Sequence, residues 1–353
     1  MIGRRQLAVA SPISITAVAR AFGGAFGSAA ALAELNRDLL AGVFGTRDMA
    51  LTDSGTSALL LALRLAVPKG GTIGLPGYAC VDLTAAALAA GVRVRLYDLD
   101  PSTLSPNLDS VGRMLERGVD AIVVAHLFGY PADVIGVRAL ASKTGAIVIE
   151  DAAQGAAGRL DGKRLGSLGD LVVLSFGRGK GLCAGGGGAL LGFDDRLRVL
   201  LRDVRLPQSG RGLSGLVKTG IQWSLGRPSV YAIPSAIPWL KLGEMVYHPA
   251  GEPVAMPAAA CALLPSAFQL EPAELEVRRA HAVGYERAAG RPFRLEIIRA
   301  VPGGESGFLR FAMRDLSGGR EPQPHLGVLR PYPVTLAEQP ELAPILLPGE
   351  DAI

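Results

Sequence analysis

Between about residue 55 and residue 195 the chain alternates short apolar runs with longer stretches of helical periodicity, and this alternation restricts the fold more than any other feature. The runs at 72–75, 92–97, 121–126, 146–150, 171–176 and 189–193 are of strand length and mostly continuous rather than alternating. Continuous runs imply strands buried on both faces, hence a mostly parallel sheet covered by helices. The intervening stretches 54–67, 81–90, 108–116 and 132–144 are amphipathic, and Gly70-Gly71 and Gly145 punctuate the turns. Such βα alternation with short links predicts a doubly wound α/β domain.

After Asp195 the pattern changes. Residues 196–250 are rich in Arg, Pro and Gly, a helical pattern returns over 256–289, and 307–313 reads as a short strand. At 353 residues and ~150 residues per domain, two units are expected. We place a large domain at 1–245, with an N-terminal helical segment and a Pro-rich connector, and a smaller α/β domain at 246–353.

Composition narrows the class. With 49% hydrophobic and 19% charged residues the chain is not disordered. The net charge is +4, but the arginines are scattered among acids rather than clustered with aromatics, so no nucleic-acid partner is expected. Cys80, Cys183 and Cys261 form no C-x-x-C pair, and His126, His248, His281 and His325 lie far apart, so neither a metal site nor a disulfide framework is expected. The compartment reads as reducing and cytoplasmic. Arg4-Arg5 precedes an apolar stretch that Pro12 and Arg20 interrupt, which makes a poor export signal. The most apolar window, 221–240, contains Arg227 and three prolines and reads as a buried or interfacial loop rather than a membrane span. Its Trp223, Tyr231 and Trp239 suit an interface core or domain packing equally.

Three constellations could carry chemistry. Asp53-Ser54-Gly55-Thr56-Ser57 precedes an apolar helix. It is either an ordinary capped N-terminus or a phosphate site, since free N–H groups and a positive dipole end favour anions. Glu150-Asp151-Ala-Ala-Gln154 ends a buried strand, where ligands sit in open α/β sheets; an acid there either holds a positive charge in a dry site or faces solvent. Ser175-Phe176-Gly-Arg-Gly-Lys180 places a lone lysine among glycines between two buried strands. A lysine whose charge is destabilised can act as an amine nucleophile and form a Schiff base. The glycines do not match a nucleotide phosphate loop, because they follow the lysine and Gly181 stands where a hydroxyl residue is required. A phosphate anchor, a carboxylate and an amine are together what pyridoxal phosphate (PLP) needs.

The residues Ser54-Gly55-Thr56-Ser-Ala-Leu, Pro76-Gly-Tyr78, His126-Leu-Phe-Gly129-Tyr-Pro-Ala-Asp, Glu150-Asp151-Ala-Ala-Gln154 and Ser175-Phe-x-x-x-Lys180-x-Leu resemble the DegT/DnrJ/EryC1/StrS family. The resemblance covers about 50–195 in register and continues loosely through 256–285 and 330–333. It implies a fold-type I PLP-dependent aminotransferase acting on a nucleotide-linked keto-sugar, with glutamate or glutamine as donor, in polysaccharide or glycoside biosynthesis. By it, Lys180 is the Schiff-base lysine and proton shuttle, Asp151 pairs with the pyridinium nitrogen, Gln154 sits near the phenolic oxygen, and Gly55, Thr56 and Ser175 hold the phosphate. A homodimer with sites near its interface is also implied. His126 matches a family position but reads as a buried structural histidine.

Three departures bear on these expectations. Cys80 stands where an aromatic usually stacks on the cofactor ring, with Tyr78 two residues earlier. The stretch 251–256 carries no Asn, which in the family often completes the partner's phosphate site. The chain stops at 347–353, where members usually continue into a closing helix, so either a shortened variant or an incomplete sequence is expected. The alternatives are a degenerate PLP-fold binding or regulatory protein, and a PLP lyase or dehydratase on a sugar nucleotide; Lys180 counts against the latter.

Overall fold

The computed structural model describes residues 12–225, 247–289 and 294–348. Its centre is a seven-stranded sheet built from β1 (Met49–Thr52), β2 (Thr72–Pro76), β3 (Arg93–Tyr97), β4 (Ala121–Ala125), β5 (Ile147–Asp151), β8 (Leu171–Ser175) and β9 (Gly188–Gly192). The spatial order is β1-β9-β8-β5-β4-β2-β3. Pairs β2–β3, β2–β4, β4–β5 and β5–β8 are parallel, while β9 runs antiparallel to both β8 and β1. The expected α/β architecture is thus present, and the six expected strands form within a residue or two of their predicted bounds.

Strand period 2 sorts the apolar residues onto two faces. Ala121 and Val123 of β4 join the core under α3 (Gly55–Ala66) and α4 (Asp82–Ala90). Ile122 and Val124, one residue out of phase, join the core under α5 (Leu108–Glu116) and α6 (Val134–Ala141). Nearer β1, the face holding Val172, Leu174 and Leu191 packs against α1 (Ile15–Gly24), α2 (Ala29–Phe44) and a long helix, α9 (Ala258–Ala288). α7 (Asp195–Arg202) and α8 (Leu213–Leu225) link the halves.

The long helix contains Pro265 and Pro272. Proline has no N–H for the carbonyl four residues earlier, and at Cys261 the loss is made good from outside: Asn36 Nδ2 of α2 donates to Cys261 O over 2.8 Å, and to Leu32 O over 2.7 Å. The N-terminal helices are therefore tied to α9 by a buried polar contact as well as by packing.

Beyond α9 the structure differs from expectation. Residues 307–313 are not a strand; the strand is β12 (Met313–Asp315), paired antiparallel with β10 (Leu295–Ile297). The preceding residues send their backbone groups to the large domain instead, with Gly307 N donating to Gly129 O and Arg310 N to Phe128 O. A second small sheet joins β11 (Gly304–Glu305) to β6 (Arg159–Leu160) and β7 (Lys163–Arg164). The boundary at 245/246 and most of the 221–240 segment lie outside the described residues. No described helix is long and apolar enough to cross a membrane.

Candidate active site

Strand succession changes direction between β2 and β4, and ligands of open α/β sheets bind at the carboxyl ends beside such a switch point. The residues singled out in the sequence lie at those ends.

The N-terminus of α3 is fixed by Ser54, whose Oγ accepts the Ser57 N–H over 3.0 Å while Thr52 Oγ1 donates to Ser54 O over 2.8 Å. The next N–H groups of the first turn have no acceptor inside the helix. Gly55 packs directly on the end of β8: a Cβ built on it would stand 2.6 Å from Ser175 Cβ and 2.8 Å from its Oγ. Gly55, Thr56 and Ser175 are thus brought together.

Lys180 lies on the excursion between β8 and β9. Its two ends are pinned, with Phe176 N donating to Gly187 O and Gly187 N to Asp53 O. Lys180 is half-buried, and its positive charge acts on both Asp151 and Cys80. Asp151 ends β5, and Oδ1 accepts only the Ala153 N–H of its own turn, over 3.0 Å. Desolvation raises the Asp151 pKa, outweighing the Ala153 hydrogen bond and the charge of Lys180. Among the described residues, no side chain makes an ion pair with it at contact distance. It is a carboxylate held short of a cation.

Gln154 bridges two segments. Its Oε1 accepts the Phe128 N–H over 3.2 Å, and its Nε2 donates to the Tyr332 hydroxyl over 2.8 Å. The Tyr332 ring stacks on Phe128 at 5.3 Å and meets Tyr78 edge-on at 5.1 Å. Cys80 lines a small cavity together with Asp151 and Gln154; burial pushes its thiol up to about 12, with Asp82 adding to the rise. His126 is buried and its Nε2 faces Glu150, while its ring also lines that small cavity.

Two features escaped sequence reasoning. Tyr332 carries no signal of its own beyond its place in 330–333. The other is a cleft of about 760 Å³ that runs from Tyr78, Phe128 and Gly179 outward past Arg310, Phe311 and Arg314. It opens next to Lys180 and is roomy enough for a substrate of several hundred daltons. Among the described residues, no group of His, Cys, Asp and Glu is arranged to hold a metal.

A profile of the DegT/DnrJ/EryC1/StrS aminotransferase family matches residues 25–214, more than half of the chain. The chain is 34% identical over 168 residues to a UDP-N-acetyl-3-dehydro-alpha-D-glucosamine 3-aminotransferase of Acidithiobacillus ferrooxidans, covering 47% of this chain and 46% of that protein. It is likewise 34% identical over 146 residues to a dTDP-4-dehydro-2,3,6-trideoxy-D-glucose 4-aminotransferase of Saccharopolyspora spinosa, covering 41% and 38%. These alignments span less than half the length of the relatives. In fold it is similar to AtS13 from Actinomadura melliaura, with a TM-score of 0.70 at 24% identity over 90% of this chain and 81% of that one.

Proposed function

The chain belongs to the DegT/DnrJ/EryC1/StrS aminotransferase family, and from that premise we propose that it is a PLP-dependent aminotransferase that moves an amino group from glutamate or glutamine onto a nucleotide-linked keto-sugar. The observation that carries this reading is that Asp151 at the end of β5 and the Gly55–Ser175 contact at the end of β8 stand at the carboxyl ends of neighbouring strands, with Lys180 on the excursion that follows β8.

The residues fit the cofactor. An acid raised by desolvation and lacking a contact cation is completed by a protonated ring nitrogen, which restores its charge. The first turn of α3 and the Ser175 hydroxyl offer donors to a phosphate. When bound, PLP supplies a carbonyl carbon for an amine and an aromatic ring that accepts electrons. Lys180 Nζ would hold the cofactor through that carbon, and its amine would serve as the base that moves the proton at the substrate carbon. Asp151 would pair with the ring nitrogen and keep it protonated, Gln154 would serve the phenolic oxygen, and Gly55, Thr56 and Ser175 would hold the phosphate. The cleft beside Gly179 receives the sugar nucleotide.

The rest of the reading follows the family. The protein works in the cytoplasm as a homodimer, with a large domain at 1–245 and a smaller one at 246–353. The test is the visible absorbance of the protein reconstituted with PLP. A yellow colour, with absorbance in the violet that borohydride bleaches, followed by peptide mapping, should place the adduct on Lys180 and on none of the five other lysines. No band, or an adduct elsewhere, overturns the assignment. Amino transfer from glutamate or glutamine to a keto-sugar nucleotide then tests the substrate class.

A further inference from the structure

The C-terminal stretch is not a loose appendage to the large domain. Leu336 N donates to Gly77 O over 2.8 Å, at the carboxyl end of β2. Thr84 of α4 donates its hydroxyl to Gln339 Oε1 over 2.7 Å in a buried contact. Leu336 and Leu342 are fully buried in the core beneath α3 and α4. These anchors lie within ten residues of Tyr332 and fix where its ring enters.

The ring enters the candidate site. It is 4% exposed, clamped between Phe128 and Tyr78, and its hydroxyl meets only one side-chain partner among the described hydrogen bonds, Gln154 Nε2. An amide has two ends, and both are fixed here: Nε2 by Tyr332, Oε1 by the Phe128 N–H. Phe128 itself has φ +58°, a left-handed conformation that costs a bulky residue about 1–2 kcal/mol, and the Gln154 bond helps hold it.

We propose that Tyr332 is a positioning residue of the cofactor site, which acts through Gln154 by fixing the orientation of its amide. The assignment rests on the proposed PLP site, because Gln154 is placed there beside the phenolic oxygen. Cys80, small where an aromatic usually lies, touches the same aromatic cluster; the Tyr78–Tyr332–Phe128 stack supplies the bulk on this side. Burial raises the Tyr332 phenol well above its ordinary range, so at neutral pH the hydroxyl keeps its proton and has a donor left after accepting from Gln154.

The test compares wild type, Tyr332→Phe, Gln154→Ala and the double variant, each reconstituted with PLP. The Phe variant keeps the ring contacts and removes only the hydroxyl, and thermal unfolding of each variant checks that the fold is intact. We expect Tyr332→Phe to weaken PLP binding severalfold and to move the pH midpoint of the visible band, and we expect no further change when it is added to Gln154→Ala. A wild type that loads PLP while Tyr332→Phe matches it in affinity, band and midpoint overturns this assignment alone. Additive effects in the double variant overturn the route through Gln154. A wild type that takes up no PLP overturns the proposed function, and this assignment falls with it.

Discussion

His126 Nε2 donates to Glu150 Oε1 over 2.9 Å, and both side chains are wholly shielded from solvent. The other ring nitrogen, Nδ1, accepts the Ala132 N–H over 3.0 Å, which leaves the proton on Nε2. Glu150 in turn accepts from three main-chain donors ahead of β8: Gly166 N at 2.5 Å, Leu168 N at 2.6 Å and Gly169 N at 2.9 Å. A buried carboxylate thus organises the loop that delivers β8, and with it Ser175 and Lys180. The strand that ends in Asp151 carries a structural acid one residue before it, pointing to the other face.

Burial alone would raise the Glu150 pKa, yet the hydrogen bond from His126 and the backbone donors of Gly166 and Leu168 bring it below its ordinary value. Its stabilisation is therefore complete above the unfolded carboxylate range and is lost as pH falls through the folded value. Glu150→Gln turns an NH₂ group toward N–H donors and should cost about 2–4 kcal/mol at pH 7. Urea unfolding at pH 7 and near pH 4 measures it. The gap between variant and wild type should narrow in acid; a constant gap would mean that the charge is not what holds the loop.

Asp151 has the opposite sign. Desolvation raises its folded pKa, so below the unfolded value near ~3.9 it costs nothing, and the penalty grows as pH rises toward the folded value and persists above it. Without cofactor, Asp151→Asn should have a higher Tm than wild type at pH 7, with the difference vanishing in acid. With PLP, the variant should keep the cofactor but lose turnover by at least about tenfold, since a charge-assisted hydrogen bond is worth roughly 1.5–3 kcal/mol. Scanning calorimetry with and without PLP, beside initial rates, separates the two. Normal rates would exclude Asp151 as the ring partner.

The sequence revealed the sheet because strands buried on both faces leave continuous apolar runs. It did not reveal β1, whose four residues give too short a run to separate from its surroundings. That strand is held by long-range contacts: it pairs with β9 and bridges to Ala255, and Asp48 just before it binds Arg198 and Arg202 of α7 across about 150 residues of chain. The run at 307–313 misled for the converse reason. Its apolar residues pack against the large domain's aromatic cluster, where Phe308 meets Tyr130 edge-on, rather than across a strand ladder. Lys180, Asp151 and Gln154 were legible as residues, but their partners were not. Neither Tyr332 beside Gln154 nor Glu150 beneath the β8 loop follows from local spacing, since each contact is set by how distant segments dock.

Gly55 is the tightest point of the proposed phosphate site. With 2.6 Å between a new Cβ and Ser175 Cβ, Gly55→Ala forces the α3 N-terminus away from β8, and both neighbours are backbone-anchored. Overpacking of this kind costs roughly 1–3 kcal/mol, and the displacement should weaken PLP binding more than it lowers stability. Equilibrium dialysis of PLP beside urea unfolding measures both. Unchanged PLP affinity in a destabilised variant would make Gly55 a packing residue only.

Cys80 should be chemically quiet despite its place beside Lys180. Its thiol is pushed up to about 12 by burial, with Asp82 reinforcing the rise and Lys180 opposing it. Only the thiolate attacks an alkylating agent, so at pH 8 the folded protein should react at Cys80 roughly a thousandfold more slowly than a free cysteine of ordinary pKa ~8.5. Lys180→Ala removes the one charge that favours the thiolate and should slow it further. Timed iodoacetamide labelling with mass spectrometry of the peptide containing Cys80, native and in urea, reads the ratio. Rapid labelling of the native protein would mean that the thiol reaches solvent as a thiolate, and the dry cavity it shares with Asp151 and Gln154 would have to be given up.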